Sequence, residues 1–152
     1  MSRDDAGVAR QWWQSFVHKD PHLACSYYAD DVRYADYGVD QILHGRQAVE
    51  DFWQGFFGVI DVDRFEVETH AFTTTETTYA VEWTMHFTLV KPWNGFPPNP
   101  NEIALRGISV GDVAGDKLVD HRDYYNAASI LQQLGLLDAG AVEAPLAEPV
   151  GR

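Results

Sequence analysis

The stretch "TYAVEWTMHFTLV" at residues 78–90 decides the class of fold. Large apolar side chains occupy every second residue, and the positions between them are mostly small or polar. Because successive side chains of a β-strand point to opposite faces, this alternation indicates a strand with one face buried. The residues that we expect on that buried face are Tyr79, Val81, Trp83, Met85, Phe87 and Leu89.

The chain before residue 58 has helical rather than alternating periodicity. The spacing of its apolar residues predicts three helices, over about residues 6–18, 21–28 and 45–58. Between the second and third helices we expect a short strand at residues 32–36 and a turn at residues 37–45. The helices therefore come before the long strands.

Strand patterns dominate the chain after residue 58, and a short helix over residues 127–137 follows them. This order predicts an α+β fold in which helices cover one face of a curved, mostly antiparallel sheet. We expect a single domain over residues 1–137 and a Pro/Ala/Glu-rich tail over residues 138–152. The four long strands are predicted at residues 63–73, 78–90, 102–110 and 117–125, with a Pro-rich loop at residues 91–101.

The composition excludes several classes of partner and site. The 152 residues carry a formal net charge of −12, and the 11 Lys and Arg residues form no run. Nucleic acids bind through clustered basic residues, so neither nucleic acid nor membrane is an expected partner. The single cysteine, Cys25, permits no intrachain disulfide, and no spacing is typical of a zinc or iron site. Without an apolar signal segment, the expected location is cytoplasmic.

The last predicted strand, "KLVDHRDYYN" at residues 117–126, places unusual residues on one face. Val119, His121, Asp123 and Tyr125 share the odd-numbered face, because side chains alternate along a strand. If that face is the interior one, a carboxylate and an imidazole are buried together, which is costly unless they serve a function.

Four stretches in order resemble the SnoaL-like branch of the nuclear transport factor 2-like superfamily. This branch contains polyketide cyclases and is related to limonene-epoxide hydrolases and ketosteroid isomerases. The stretches are "YYADDVRYAD" (27–36), "LHGRQAVEDFW" (43–53), "GDKLVDHRDYYN" (115–126) and "LQQLGLL" (131–137). The resemblance implies a cone in which the curved sheet and three helices enclose an apolar pocket. It also implies that His121 and Asp123 face that pocket.

The resemblance implies three catalytic candidates. Asp123 stands where the cyclases and epoxide hydrolases have a catalytic aspartate, and apolar burial is expected to raise its pKa. His121 is expected to position substrate or tune Asp123, or else to be purely structural. Asp36 stands where ketosteroid isomerases have their base, and we expect it to face Asp123 from the opposite wall; alternatively it caps the turn that follows.

The expected pocket walls are aromatic and apolar, which suits a poorly soluble ring-shaped ligand and no cofactor. Two departures from the relatives affect the chemistry. Trp83 and Met85 stand where the epoxide hydrolases have an arginine and a second aspartate, and Trp12 and Ile108 stand where the isomerases have their oxyanion hole. The expected substrate-binding residues are Tyr34, Trp12, Phe16, Trp53, Trp83, Met85, Phe87 and Tyr125.

Three functions remain open on the sequence. The first is cofactor-free general acid–base chemistry, a cyclisation or isomerisation of a polyketide-, terpenoid- or steroid-like molecule, with Asp123 moving protons. The second is an epoxide hydrolase with an altered catalytic set. The third is a non-catalytic module for ligand binding or assembly. The resemblance also implies a homodimer that pairs through the outer face of the sheet.

Overall fold

A computed structural model describes residues 7–137, and these residues form one sheet with helices packed against it. The predicted tail at residues 138–152 lies outside the described residues, so the division of the chain at residue 137 stays a prediction. The helices are α1 (Gly7–Val17), α2 (Pro21–Cys25), α3 (Arg46–Phe57) and α4 (Ala127–Gln133). The strands are β1 (Tyr28–Asp36), β2 (Gln41–His44), β3 (Glu66–Thr74), β4 (Thr78–Phe87), β5 (Ile103–Ala114) and β6 (Lys117–Tyr125).

The sheet has the strand order β2-β1-β6-β5-β4-β3. β1 and β6 pair in parallel, and every other neighbouring pair is antiparallel. The predicted α+β class with a mostly antiparallel sheet is therefore confirmed. No helix within residues 7–137 is long and apolar enough to cross a membrane.

Two boundaries differ from the sequence prediction because of tertiary pairing. The second helix ends at Cys25 rather than near Tyr28, since Tyr28 starts β1 and pairs with Leu118 of β6. The predicted turn at residues 37–45 contains β2, a four-residue edge strand that pairs with the end of β1. Such a short edge strand has too few buried residues to show alternation.

The core lies between the helices and the inner face of the sheet. The alternation that predicted β4 is confirmed, because its odd-numbered residues are at most 6% exposed. Phe56 of α3 packs edge-to-face on Phe87 of β4, with ring centroids 5.3 Å apart. Trp12 of α1 packs on Tyr79, at 5.2 Å. These contacts hold both helices against the same face of the sheet.

A β-bulge in β6 changes the predicted alternation at one residue. Asp112 pairs with Asp120 and Val113 pairs with Leu118, so Val119 is an extra residue in β6. A bulge of this kind shifts the phase of the side chains that precede it. Leu118 is therefore fully buried, while Val119, expected on the inner face, is partly exposed. His121 keeps its predicted inward orientation.

Candidate active site

A cavity lies between α1, α3 and the inner face of the sheet. The space between its lining atoms, together with the open solvent at its mouth, amounts to about 570 Å³. All eleven residues predicted as site residues line it: Trp12, Phe16, Tyr34, Asp36, Trp53, Trp83, Met85, Phe87, His121, Asp123 and Tyr125. The sequence prediction did not include seven further lining residues, which are Trp13, Tyr28, Phe52, Phe56, Trp93, Leu105 and Ser109.

Two carboxylates lie side by side in this cavity. β1 and β6 are hydrogen-bonded neighbours, and their register places Asp36 opposite Asp123. Neighbouring strands are about 4.8 Å apart, so the expectation that the two aspartates come from opposite walls is wrong. Asp36 is 5% exposed and Asp123 is 7% exposed. Two acidic groups this close and this buried influence each other's ionisation.

Asp123 is held by three hydrogen-bond donors. The Tyr34 hydroxyl donates to its Oδ2 at 2.6 Å, while the Ser109 hydroxyl, at 2.5 Å, and His121 Nε2, at 2.7 Å, both reach its Oδ1. Burial acts to raise the pKa of Asp123, but the His121 imidazole and these hydrogen bonds hold that pKa below its ordinary value. The expectation of a raised pKa was wrong because it considered burial without the donors.

His121 connects Asp123 to a second buried hydroxyl. Its Nδ1 lies 2.6 Å from the Tyr79 hydroxyl, and its ring stacks on Tyr34 with a centroid separation of 4.5 Å. A neutral imidazole with its proton on Nε2 donates to Asp123 and accepts from Tyr79. The result is a buried chain, Tyr79–His121–Asp123, whose members fix each other's orientation. This geometry fits both the positioning role and the structural role expected for His121.

Two glycines of β5 make this network possible. Gly111 pairs with Tyr79 on one side and with His121 on the other, so Tyr79 reaches His121 across a residue without a side chain. A Cβ at Gly111 would clash with the Tyr79 ring, and a Cβ at Gly107 would clash with the Trp83 indole. Without such room these aromatic side chains could not lie over β5.

Ser109, between the two glycines, is the polar member that sequence reasoning missed. Ser109 of β5 pairs with Asp123 of β6 in the sheet register, and its hydroxyl donates to the Asp123 carboxylate. The same hydroxyl accepts a hydrogen bond from the Trp83 indole N–H at 2.9 Å. One sequence feature could have indicated Ser109. It lies two residues from Gly107 and two residues from Gly111, and these glycines pair with Trp83 and Tyr79 of β4. Ile108, which was expected at an oxyanion-hole position of the pocket, is instead 40% exposed on the outer face of the sheet. Arg106 is on that outer face too and forms an ion pair with Glu82.

Asp36 has fewer side-chain donors than Asp123. The Tyr125 hydroxyl donates to its Oδ2 at 3.0 Å, and the Gly38 backbone N–H donates to its Oδ1 at 3.1 Å. Burial, together with the negative charge of Asp123, raises the pKa of Asp36 to about 6. Asp36 is thus both the turn-capping aspartate and a cavity carboxyl, so the two roles weighed on the sequence coexist.

The mouth of the cavity is aromatic. Phe52, Trp53, Trp93 and Tyr125 are the half-buried aromatic residues of the lining. Trp93 belongs to the loop at residues 91–101 and packs on Phe56, with ring centroids 5.0 Å apart. The sequence left open whether this loop covers the pocket or a partner. In the structure its Trp93 lines the pocket.

Other titratable residues are separate from the cavity. Cys25 is buried, and burial raises the pKa of its thiol to about 12, so it stays protonated. His86 faces away from the cavity and bonds Glu68 at 3.0 Å. Within residues 7–137, no group of three or more His, Cys, Asp or Glu side chains is placed to hold a metal ion.

Solved structures share this fold at low sequence identity. A candidate SnoaL-like polyketide cyclase from Shewanella putrefaciens has a TM-score of 0.73 at 13% identity, covering 90% of this chain and 99% of its own. A candidate polyketide cyclase from Xanthomonas campestris has a TM-score of 0.69 at 20% identity, covering 84% and 93%. A hypothetical protein with a ketosteroid isomerase-like fold from Catenulispora acidiphila, solved with trimethylamine, has a TM-score of 0.71 at 16% identity, covering 90% and 96%.

Sequence comparison identifies the family. No curated protein matches the chain. The family model described as the SnoaL-like domain matches residues 9–121, which run from α1 to the His121 of the buried network. The chain therefore belongs to the SnoaL-like domain family.

Proposed function

We propose that this protein is an enzyme that performs general acid–base chemistry, a cyclisation or isomerisation, on an apolar small molecule. The observation that carries the proposal is the pair of buried carboxylates, Asp36 and Asp123, in register on neighbouring strands of an aromatic cavity. Their environments push their pKa values apart, which is how paired carboxyls acquire separate roles.

Asp36 is the group that transfers the proton in this proposal. A pKa of about 6 leaves both protonation states populated near neutral pH, which suits a group that takes a proton and returns it. Asp123 is ionised in that range, and three donors occupy its oxygens. This reverses the order of importance expected from the sequence, where Asp123 was the main proton carrier.

Asp123 and His121 support Asp36 in different ways. The negative charge of Asp123 disfavours a second charge nearby, which keeps Asp36 basic enough to accept a proton. His121 and Tyr34 fix Asp123 from two sides, so that its position relative to β1 does not vary. Tyr125 donates its single hydroxyl proton to Asp36, and once Asp36 has taken up a proton, Tyr125 can turn that donor to a substrate oxygen beside it.

Cyclisation and isomerisation can both begin with the transfer of one proton to Asp36. Asp36 removes a proton from a C–H bond that an adjacent carbonyl or ring acidifies, and the aromatic walls bury the apolar body of the substrate. Return of that proton to another carbon gives an isomerisation. Alternatively, the carbanion attacks a second carbonyl of the same molecule: a C–C bond forms, the C=O π bond opens to an alkoxide, and Asp36 returns its proton to that oxygen, which closes a ring.

The experiment uses a C–H acid that reports proton removal directly. The probe is 5-nitrobenzisoxazole, a planar aromatic compound that releases a coloured phenolate when a base removes its ring proton. We expect the wild-type rate above buffer to rise with pH, with a midpoint near the Asp36 pKa of about 6. Asp36→Asn should lower the rate about 100-fold, the usual contribution of a positioned base.

A matched control separates the base from general charge effects. Asp51→Asn removes a negative charge from the exposed face of α3, where Gln47 donates to Asp51, and should leave the rate unchanged. An equal rate for Asp36→Asn and wild type would refute the proposal. Diol formation from simple epoxides would support the epoxide hydrolase instead. Binding of aromatic ligands without any turnover would support the binding module.

The epoxide hydrolase has less support from the cavity. Trp83 and Met85 occupy the positions that the relatives use for an arginine and a second aspartate, and both are apolar cavity residues here. The indole N–H of Trp83 donates to Ser109, so this donor is already engaged and is not free to bind a nucleophilic water. The homodimer expected from the sequence stays a prediction.

A further inference from the structure

We propose that the cavity selects an apolar ligand that carries one positive charge, such as a protonated or quaternary amine, and rejects anionic ligands. This inference rests on the proposed function, because it takes the same cavity as the ligand site. It goes beyond that function by assigning the charge of the ligand. Three features of the cavity carry it: the sign of its charges, the distribution of hydrogen-bond donors and the nature of its walls.

The acidic residues of the cavity lining, Asp36 and Asp123, outnumber its single histidine, His121, which is bonded to Asp123. No Lys or Arg is among the lining residues of the described chain. The tyrosines Tyr28 and Tyr34 are neutral, because burial holds their pKa well above the ordinary value. The arginines of β1 and β6, Arg33 and Arg122, form their ion pairs with Asp120 on the other face of the sheet.

The donors are unevenly shared between the two carboxylates. Asp123 receives hydrogen bonds from Tyr34, Ser109 and His121, so three side-chain donors stabilise its charge. Asp36 receives one side-chain hydrogen bond, from the neutral Tyr125, and otherwise only backbone N–H donors, Gly38 and Val39. The Asp36 charge is therefore the less compensated one, and a cationic ligand would compensate it.

The walls favour a cation for a separate reason. Twelve of the 18 lining residues are Trp, Tyr or Phe. The face of an aromatic ring is the negative end of a quadrupole and attracts organic cations, most strongly when water is excluded. Trp53 packs edge-to-face on Phe16 at 4.6 Å, and Trp93 lies across the same mouth. An ammonium group in this cavity would have both aromatic rings and carboxylates around it.

An anion meets the opposite conditions. A carboxylate, sulfonate or phosphate that enters the cavity loses water, and no lysine or arginine replaces that water. It also lies near Asp36, whose negative charge repels it at short range in a low-dielectric site. The formal net charge of −12 adds a weaker repulsion over a longer distance.

The affinity for a cation should depend on the ionisation of Asp36. The titratable groups around Asp36 are Asp123, His121 and Tyr125 on β6 and Tyr34 on its own strand. Tyr125 and Tyr34 stay neutral and Asp123 stays ionised, while burial and the charge of Asp123 give Asp36 a pKa of about 6. A cation should therefore bind more tightly as the pH rises through about 6.

The test uses three probes of the same shape and different charge. Phenyltrimethylammonium, tert-butylbenzene and benzenesulfonate share a phenyl ring and a tetrahedral head, with charges of about +1, 0 and −1 at neutral pH. All five tryptophans of the chain line the cavity, so tryptophan fluorescence reports occupancy. Binding is measured by fluorescence titration for wild type, Asp36→Asn and the control Asp51→Asn, each first shown to be folded by circular dichroism.

We expect the ammonium to bind wild type and Asp51→Asn at least about 10-fold more tightly than tert-butylbenzene, with no saturable binding of the sulfonate. Asp36→Asn should lose most of that preference while still binding the neutral probe. Equal affinity for the ammonium and the neutral probe, tighter binding of the sulfonate, or no binding of any probe would overturn the inference. If Asp36 is needed for proton transfer from 5-nitrobenzisoxazole but the cavity shows no preference for charge among the three probes, this inference alone is overturned. Cation preference without proton transfer would overturn the proposed function alone.

Discussion

Replacing Asp36 by asparagine should make the protein more stable at neutral pH while it removes the proposed base. Asparagine has nearly the same shape as aspartate, and its carbonyl oxygen can still accept from the Gly38 N–H. What it lacks is the charge that the fold must bury between Tyr125 and Asp123 when Asp36 ionises. Stability is therefore expected to increase where activity is lost.

The size of the effect follows from the pKa of Asp36. Burial and the charge of Asp123 raise this pKa from 3.8 to about 6 in the folded protein. Each unit of pKa difference between the folded and unfolded states corresponds to about 1.4 kcal/mol, so the ionised carboxylate costs the fold about 3 kcal/mol at high pH.

The sign follows from proton binding. Below about pH 4 the carboxyl is protonated in both states and costs nothing. Between about pH 4 and about pH 6 the folded state keeps a proton that the unfolded state has released, so the free energy of unfolding falls as pH rises. Above about pH 6 the whole cost is present. The asparagine variant has no such cost at any pH.

The assay is urea unfolding followed by tryptophan fluorescence, in dilute samples because the sequence pI is about 4.6. The quantity to plot is the free energy of unfolding of Asp36→Asn minus that of wild type, from about pH 4 to about pH 8. This difference should increase by about 2–3 kcal/mol over the range, independently of any constant effect of the amide. A difference that stays flat or falls with pH would show that Asp36 is not a destabilised carboxylate and would refute the reasoning.

Two further predictions concern stability and use the same urea assay. Asp123→Asn should lower the free energy of unfolding by about 3 kcal/mol, because it replaces a buried carboxylate held by three donors. The surface variant Asp51→Asn is its control and should change the free energy of unfolding by less than about 0.5 kcal/mol. An equally small change for Asp123→Asn would contradict the prediction. Gly107→Ala should lower the free energy of unfolding by about 1–3 kcal/mol, because the added methyl overlaps the Trp83 indole. Its matched control Gly55→Ala, in a helix with free space around the new methyl, should be neutral or raise stability by up to about 1 kcal/mol. Equal effects of the two glycine variants would show that the room above β5 is not needed.

The orientation of the main site residues could be predicted from local patterns. Trp83 and Met85 face the cavity because alternation within one strand is a property of the extended backbone itself. His121 and Asp123 share a face for the same reason, and the family resemblance indicated which face is inside. Val119, two residues before His121, fails the same rule because a bulge adds one residue to β6.

The hydrogen-bonded network could not be predicted in this way. The Tyr34 hydroxyl and Asp123 are 89 residues apart, and Tyr79 and His121 are 42 residues apart. No local pattern reports which strand lies beside β6, and that neighbour is β1, through the parallel pairing of Asp36 with Asp123. Ser109 looked like an ordinary strand serine until the register placed it opposite Asp123.

The sequence by itself determined the α+β class, the buried face of β4 and the abundance of aromatic residues available to line a cavity, because these depend on the periodicity and size of neighbouring side chains. Tertiary structure alone decided the ionisation of the two aspartates. The pKa of a carboxyl depends on the donors and charges within a few ångströms of it, and for Asp36 and Asp123 these come from strands that are distant along the chain. The same burial therefore leaves Asp36 able to exchange a proton and keeps Asp123 charged.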